Sequence, residues 1–189
     1  MKWFAIILLL SLPVLAFCDD GSARIELSKM AIKNGWEQVD TKPDVLAPTK
    51  HLDTALMHFN HAILLDMKSG PAWFASAYTY SLKGNADEAL RLYRKSLEYQ
   101  PEYVSTHMNI GLILLNKGDM DNSLKSLKKA LELDPEKGVA HGNLARWYYT
   151  NRQYKEARHA LILARKYKST IDPAYLKLLS EYIDVAPKN

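Results

Sequence analysis

The sequence predicts an all-α solenoid of stacked antiparallel helix pairs, and three observations carry that expectation. A seven-residue segment recurs every 34 residues, as Gly84 to Leu90, Gly118 to Leu124 and Arg152 to Arg158. Pro101 and Pro135 also stand 34 apart, each behind an amphipathic run, Leu90 to Tyr99 and then Leu124 to Leu133. Within each period, two stretches with apolar residues at i, i+3, i+4 and i+7 flank a short turn. Gly84 and Gly118 close the first helix of a pair, and Pro101 and Pro135 stop the second.

Residues 1–18 read as an export signal. Lys2 precedes an uncharged run over 3–18, shorter than the ~20 residues a membrane-spanning helix needs, and Pro13 breaks it before small residues. Val14-Leu15-Ala16 suits cleavage after Ala16, and a cut after Cys18 is the poorer alternative. An uncleaved N-terminal anchor is the competing reading of the run. Leu15-Ala16-Phe17-Cys18 resembles the bacterial lipobox, departing from it at Phe17, so Cys18 is a candidate lipidation site. The preferred expectation is export to the periplasm, with a membrane-anchored lipoprotein as the alternative. The absence of any Asn-x-Ser/Thr sequon favours a bacterial origin. The mature form is expected to have no membrane span.

Residues 19–50 form an N-terminal segment with an amphipathic helix over Ala23 to Asn34 and a loop containing Pro43 and Pro48. Residues 51–69 read as the second helix of an incomplete pair, and Ala23 to Asn34 is placed to supply its first helix through an enlarged loop. Residues 70–171 hold three full periods, 70–103, 104–137 and 138–171. Residues 172–189 open on Asp172-Pro173, a cap followed by Pro at the first helical position. The capping helix Ala174 to Asp184 then turns Lys177 and Glu181 to water and seals the stack with Leu178, Leu179 and Tyr182.

The three periods resemble the tetratricopeptide repeat family. The first carries Trp73, Ala77, Tyr80, Ala89, Tyr93, Ser96 and Pro101, missing the pattern at Ser76. The second carries Ile110, Gly111, Leu114, Ser123, Leu127, Ala130 and Pro135, with His107 in place of Trp. The third carries Leu144, Ala145, Tyr148, Ala157, Leu161 and Ala164, with His141 for Trp and Ser169 for Pro. Small residues such as Ala77, Gly111 and Ala145 let paired helices approach, while Tyr80, Leu114 and Tyr148 fill the space between neighbouring pairs.

Several function classes are disfavoured by composition. Lys plus Arg number 25 against 21 Asp plus Glu, a scattered net charge of +4 that does not point to nucleic acid. A single cysteine forms no internal disulfide and excludes multi-cysteine metal sites. No phosphate loop, nucleophile elbow or zinc-protease motif occurs, so no enzyme activity and no cofactor are expected. His51, His58 and His61 lie within about 80° of one another at helical pitch and are the only metal candidates, lacking a carboxylate or Cys partner.

The resemblance implies a protein–protein interaction scaffold that holds another protein or peptide segment on the first helices of successive pairs. The positions so implied are Phe74 and Tyr78, then Met108, Asn109, Leu112 and Leu115, then Asn143, Arg146 and Tyr149. Asn109 and Asn143 match the asparagine with which such proteins often grip a peptide backbone. The groove is apolar with one charge, which suits an apolar or amphipathic segment better than an acidic tail. Coverage of that groove by residues 23–50 is the competing expectation. The preferred reading is an assembly factor of the bacterial cell envelope. A metal- or cofactor-handling periplasmic chaperone using His51, His58 and His61, and a self-associating structural module, are the alternatives.

Overall fold

The computed structural model describes residues 21–40 and 49–169, together with Lys177, Ser180 and Glu181. The described residues form eight helices and no strand. The chain divides into two compact units, Met1–Tyr99 and Gln100–Asn189. In the first lie α1 (Gly21–Val39), α2 (Lys50–Leu65), α3 (Gly70–Leu82) and α4 (Ala86–Tyr99). In the second lie α5 (Val104–Lys117), α6 (Met120–Leu133), α7 (Gly138–Thr150) and α8 (Tyr154–Lys166). Each unit is two helix pairs, α1 with α2 and α3 with α4, then α5 with α6 and α7 with α8. The export run, Cys18 and the apolar face of the capping helix lie outside the described residues.

The 34-residue period reappears as a periodic set of helix ends. Asn85 Oδ1 accepts from the Glu88 amide at 3.3 Å, and Asp119 Oδ1 accepts from the Asn122 amide at 3.3 Å. Each carboxamide or carboxylate satisfies an amide that the first helical turn leaves without a partner. Gly84 and Gly118 take φ values of +77° and +80°, a left-handed conformation that costs glycine no Cβ clash. The third period puts Arg152 at that place, with φ +59°.

A second recurring bond explains two departures from the family pattern. The Trp73 indole Nε1 donates to the Met67 carbonyl at 2.8 Å. His107 Nε2 meets the Pro101 carbonyl at 2.7 Å, and His141 Nε2 meets the Pro135 carbonyl at 2.8 Å. Since a carbonyl only accepts, Nε2 must carry the proton, and imidazole here does what indole does in the first period. Histidine is therefore a donor-conserving replacement that ties each first helix to the turn before it. His107→Trp should keep the thermal midpoint, whereas His107→Phe should lower stability by about 1 kcal/mol, or roughly 2–4 °C in a melting curve.

Packing in the first unit begins with the antiparallel pair α1 and α2. Ser28, Ala31 and Gly35 are buried at helical spacing on α1, and Ser28 Oγ donates to the Ala62 carbonyl at 3.0 Å. A Cβ on Gly35 would run into the fully buried Phe59 ring, so only glycine admits this approach. The helix runs past Asn34 to Val39, five residues beyond the sequence expectation, and so brings Trp36 onto the unit. The Trp36 ring meets Phe59 edge-on at 5.4 Å, with Ile32 and Val39 packed on the same cluster. In the second unit, Leu115, Leu127 and Trp147 form one cluster and Ala145, Ala157, Ala160 and Leu161 another. The Trp147 indole donates to the Met120 carbonyl at 2.8 Å, fixing α7 against the start of α6.

The ion pairs Lys29–Glu26, Arg91–Glu88, Lys95–Glu98 and Lys129–Glu132 each join residues three apart on one helix. Such surface pairs contribute little to stability. Lys83 pairs with Asp53, joining the end of α3 to α2.

Candidate functional site

The first helices of the pairs divide into a closed face in the first unit and an open lane in the second. On α3, Phe74 is 9% exposed and Tyr78 is half-buried, stacked on each other at 6.2 Å between ring centres. Trp36 lies against both, 6.3 Å from Phe74 and 5.5 Å from Tyr78, while Phe74 also meets the buried Tyr93 ring at 5.6 Å. These two aromatics, expected to face a partner, are thus engaged within their own unit by α1. The physical reason is that the helical stripe of α1 continues through Gly35 and Trp36. That stripe is readable in the sequence as small residues at 28, 31 and 35 followed by an aromatic, running past the Asn34 end expected for this helix.

The second unit places α5 beside α7. Met108, Asn109 and Leu112 on α5 are half-buried, as are Arg146 and Tyr149 on α7. Leu115 is 6% exposed and belongs to the cluster with Leu127 and Trp147, so it is core rather than lane. Tyr149 is held edge-on against Tyr154 at 5.9 Å. Asn143 is the unusual member: it is 6% exposed, and its Nδ2 is buried with no hydrogen-bond partner. A buried amide nitrogen left unpaired costs about 1–3 kcal/mol, which an incoming acceptor recovers. Asn143 and Arg146 stand one turn apart on one face of α7.

Among the described residues, no group of three or more His, Cys, Asp or Glu is placed to hold a metal ion. His51 and His58 are half-buried and His61 is exposed, so the shared helical direction of these three does not become a ligand set. No described helix is long and apolar enough to cross a membrane.

A separate pocket of about 360 Å³ opens between α7 and α8, lined by His141, Leu144, Tyr148, Lys155, Glu156, His159, Ala160 and Leu163. His141 stacks on Tyr167 at 5.6 Å, and its Nδ1 is buried without a partner. Of the expected capping helix, Lys177 and Glu181 are described, both exposed and with charges 3.8 Å apart.

With this geometry in place, the class of protein is clear: an all-α tetratricopeptide-repeat solenoid fold. Two family profiles, each described as tetratricopeptide repeat, match residues 74–138 and 114–182. Across residues 74–182 the chain therefore matches tetratricopeptide repeat models. A search of curated protein sequences finds no match. Among solved structures, a crystal structure of MamA is 15% identical, with a TM-score of 0.62 over 75% of this chain and 78% of that one. The Arabidopsis OM64 TPR domain is 15% identical, with a TM-score of 0.60 over 67% of this chain and 98% of that one. The APC/C hetero-tetramer Cut9-Hcn1 is 14% identical, with a TM-score of 0.66 over 77% of this chain but 26% of that one. At these identities the likeness is one of fold.

Proposed function

We propose that the protein is a non-catalytic interaction scaffold of the bacterial cell envelope that holds an extended apolar segment of a partner protein along α5 and α7. The observation that carries the reading is the buried, unpartnered Nδ2 of Asn143. Main-chain carbonyls of an extended segment are free to accept from it, whereas those of a helix are already satisfied. Met108, Leu112 and Tyr149 supply the apolar contacts around that donor, and half-buried apolar side chains gathered on one face favour docking of a like surface. The family resemblance supports capture on these first helices. The uncharged run over 3–18 supports export, with lipidation at Cys18 as the alternative mode of retention.

Photo-crosslinking in the producing cells tests this. A benzophenone amino acid at Met108 should yield a discrete adduct, and one at the exposed Lys128 on α6 should not. Asn143→Ala should weaken that adduct severalfold while leaving the melting temperature unchanged or slightly raised, because the side-chain nitrogen it removes has no partner in the free protein. Equal adducts from both positions would rule the lane out.

A further inference from the structure

We infer that the lane on α5 and α7 selects an extended segment in which one internal Asp or Glu side chain, set among apolar residues, pairs with Arg146. The inference rests on the capture reading above and adds the chemistry of what is captured. Neither lane helix contains an acidic residue: α5 reads VSTHMNIGLILLNK and α7 reads GVAHGNLARWYYT. The residues one turn away from Arg146 on α7 are Gly142, Asn143, Tyr149 and Thr150, none able to neutralise a guanidinium. Among the described residues Arg146 makes no ion pair, and unlike Arg94 and Arg152, which are also unpaired but exposed, it is half-buried.

The lane thus sets one buried, unpaired donor, the Asn143 amide nitrogen, one turn from a half-buried guanidinium without an ion pair, that of Arg146. A main-chain carbonyl meets the first, and a carboxylate meets the second in a two-pronged geometry. One helical turn is about 5.4 Å and an extended chain advances about 3.3 Å per residue, so the acidic residue sits within about two residues of the gripped carbonyl. Tyr149 lies a turn beyond Arg146, which gives the segment an apolar contact past the charge and favours an internal side chain over a chain terminus. Half-burial makes the pair stronger than an exposed one and makes a mismatched amide or amine costly, so the charge acts mainly as a specificity filter.

The test is selection of a random dodecapeptide library, displayed on phage with the peptide's C-terminus fused, against the immobilised full chain. Enriched peptides should be apolar with an Asp or Glu at one fixed position, and that acidic preference should vanish on Arg146→Gln and survive Arg146→Lys in part. A selected peptide resynthesised with Glu→Gln should bind the wild type about tenfold more weakly and Arg146→Gln no more weakly, with both proteins melting alike. Apolar winners without an acid, or an acidic preference indifferent to Arg146→Gln, would overturn the inference while leaving capture intact. The same holds if acid helps only as a free C-terminal carboxylate, tested with amidated and free synthetic peptides. No enrichment over a Leu112→Glu control would overturn both readings.

Discussion

Trp36→Ala should destabilise the first unit by about 3 kcal/mol and bare an aromatic face that binds a hydrophobic dye. The Trp36 ring touches Phe59, Phe74 and Tyr78, with centroids at 5.4, 6.3 and 5.5 Å, so its removal breaks three aromatic contacts at once. The neighbouring backbone cannot close the gap, because Gly35 already brings α1 against the Phe59 ring. Trp36→Phe keeps an aromatic body and should lose less than half as much. Urea denaturation followed by far-ultraviolet circular dichroism gives the stability change, and dye fluorescence in native buffer reports the uncovered face. Unchanged stability and no dye binding in Trp36→Ala would mean that α1 does not cover Phe74 and Tyr78.

That covering contact marks the boundary of what the sequence could show. Period and register put Ala77, Gly111 and Ala145 inside, and all three are buried. Register also put Phe74 and Tyr78 on the first-helix face, but a position's direction on its own helix does not say which neighbour lies opposite. For α3 the neighbour is α1, whose end depends on where a loop begins rather than on any repeat. Leu115 shows the same limit on α5, since Trp147 from the next pair joins Leu127 in the cluster that makes it core. Histidine at the Trp position is plain in the sequence, but its ring hydrogen bond depends on where the carbonyl of the preceding turn stands. Asn143 was legible as a family position, yet its lack of a partner depends on every neighbouring side chain and is visible in three dimensions alone. Arg146 is intermediate, because the absence of acids from both lane helices is already written in the chain.

Gly111→Ala should cost about 2 kcal/mol and also impair capture by the lane, whereas Gly118→Ala should cost a similar amount and leave capture intact. The two glycines are required for different reasons. At Gly118 the backbone φ is +80° with no atom within 4 Å of an added Cβ, so the penalty is conformational, about 1–2 kcal/mol. At Gly111 the backbone is ordinary helix, and alanine would be preferred by about 1 kcal/mol on propensity alone. Its Cβ, however, would stand 2.7 Å from Leu127 Cγ and 3.3 Å from the Leu127 amide nitrogen. Leu127 is fully buried between Leu115 and Trp147 and cannot swing aside, so overpacking outweighs propensity. Relief requires α5 to move away from α6, stretching the 2.8 Å bond from Ser123 Oγ to the Gly111 carbonyl and carrying Met108, Asn109 and Leu112 out of register with Asn143 and Arg146. A double-mutant cycle separates the clash from the gain in helix propensity. Leu127→Ala alone should cost several kcal/mol as a cavity, while adding Gly111→Ala to it should cost nothing further, because the truncated side chain leaves room for the new methyl. If the two substitutions are additive in denaturant melts, helix approach at Gly111 does not set the position of α5.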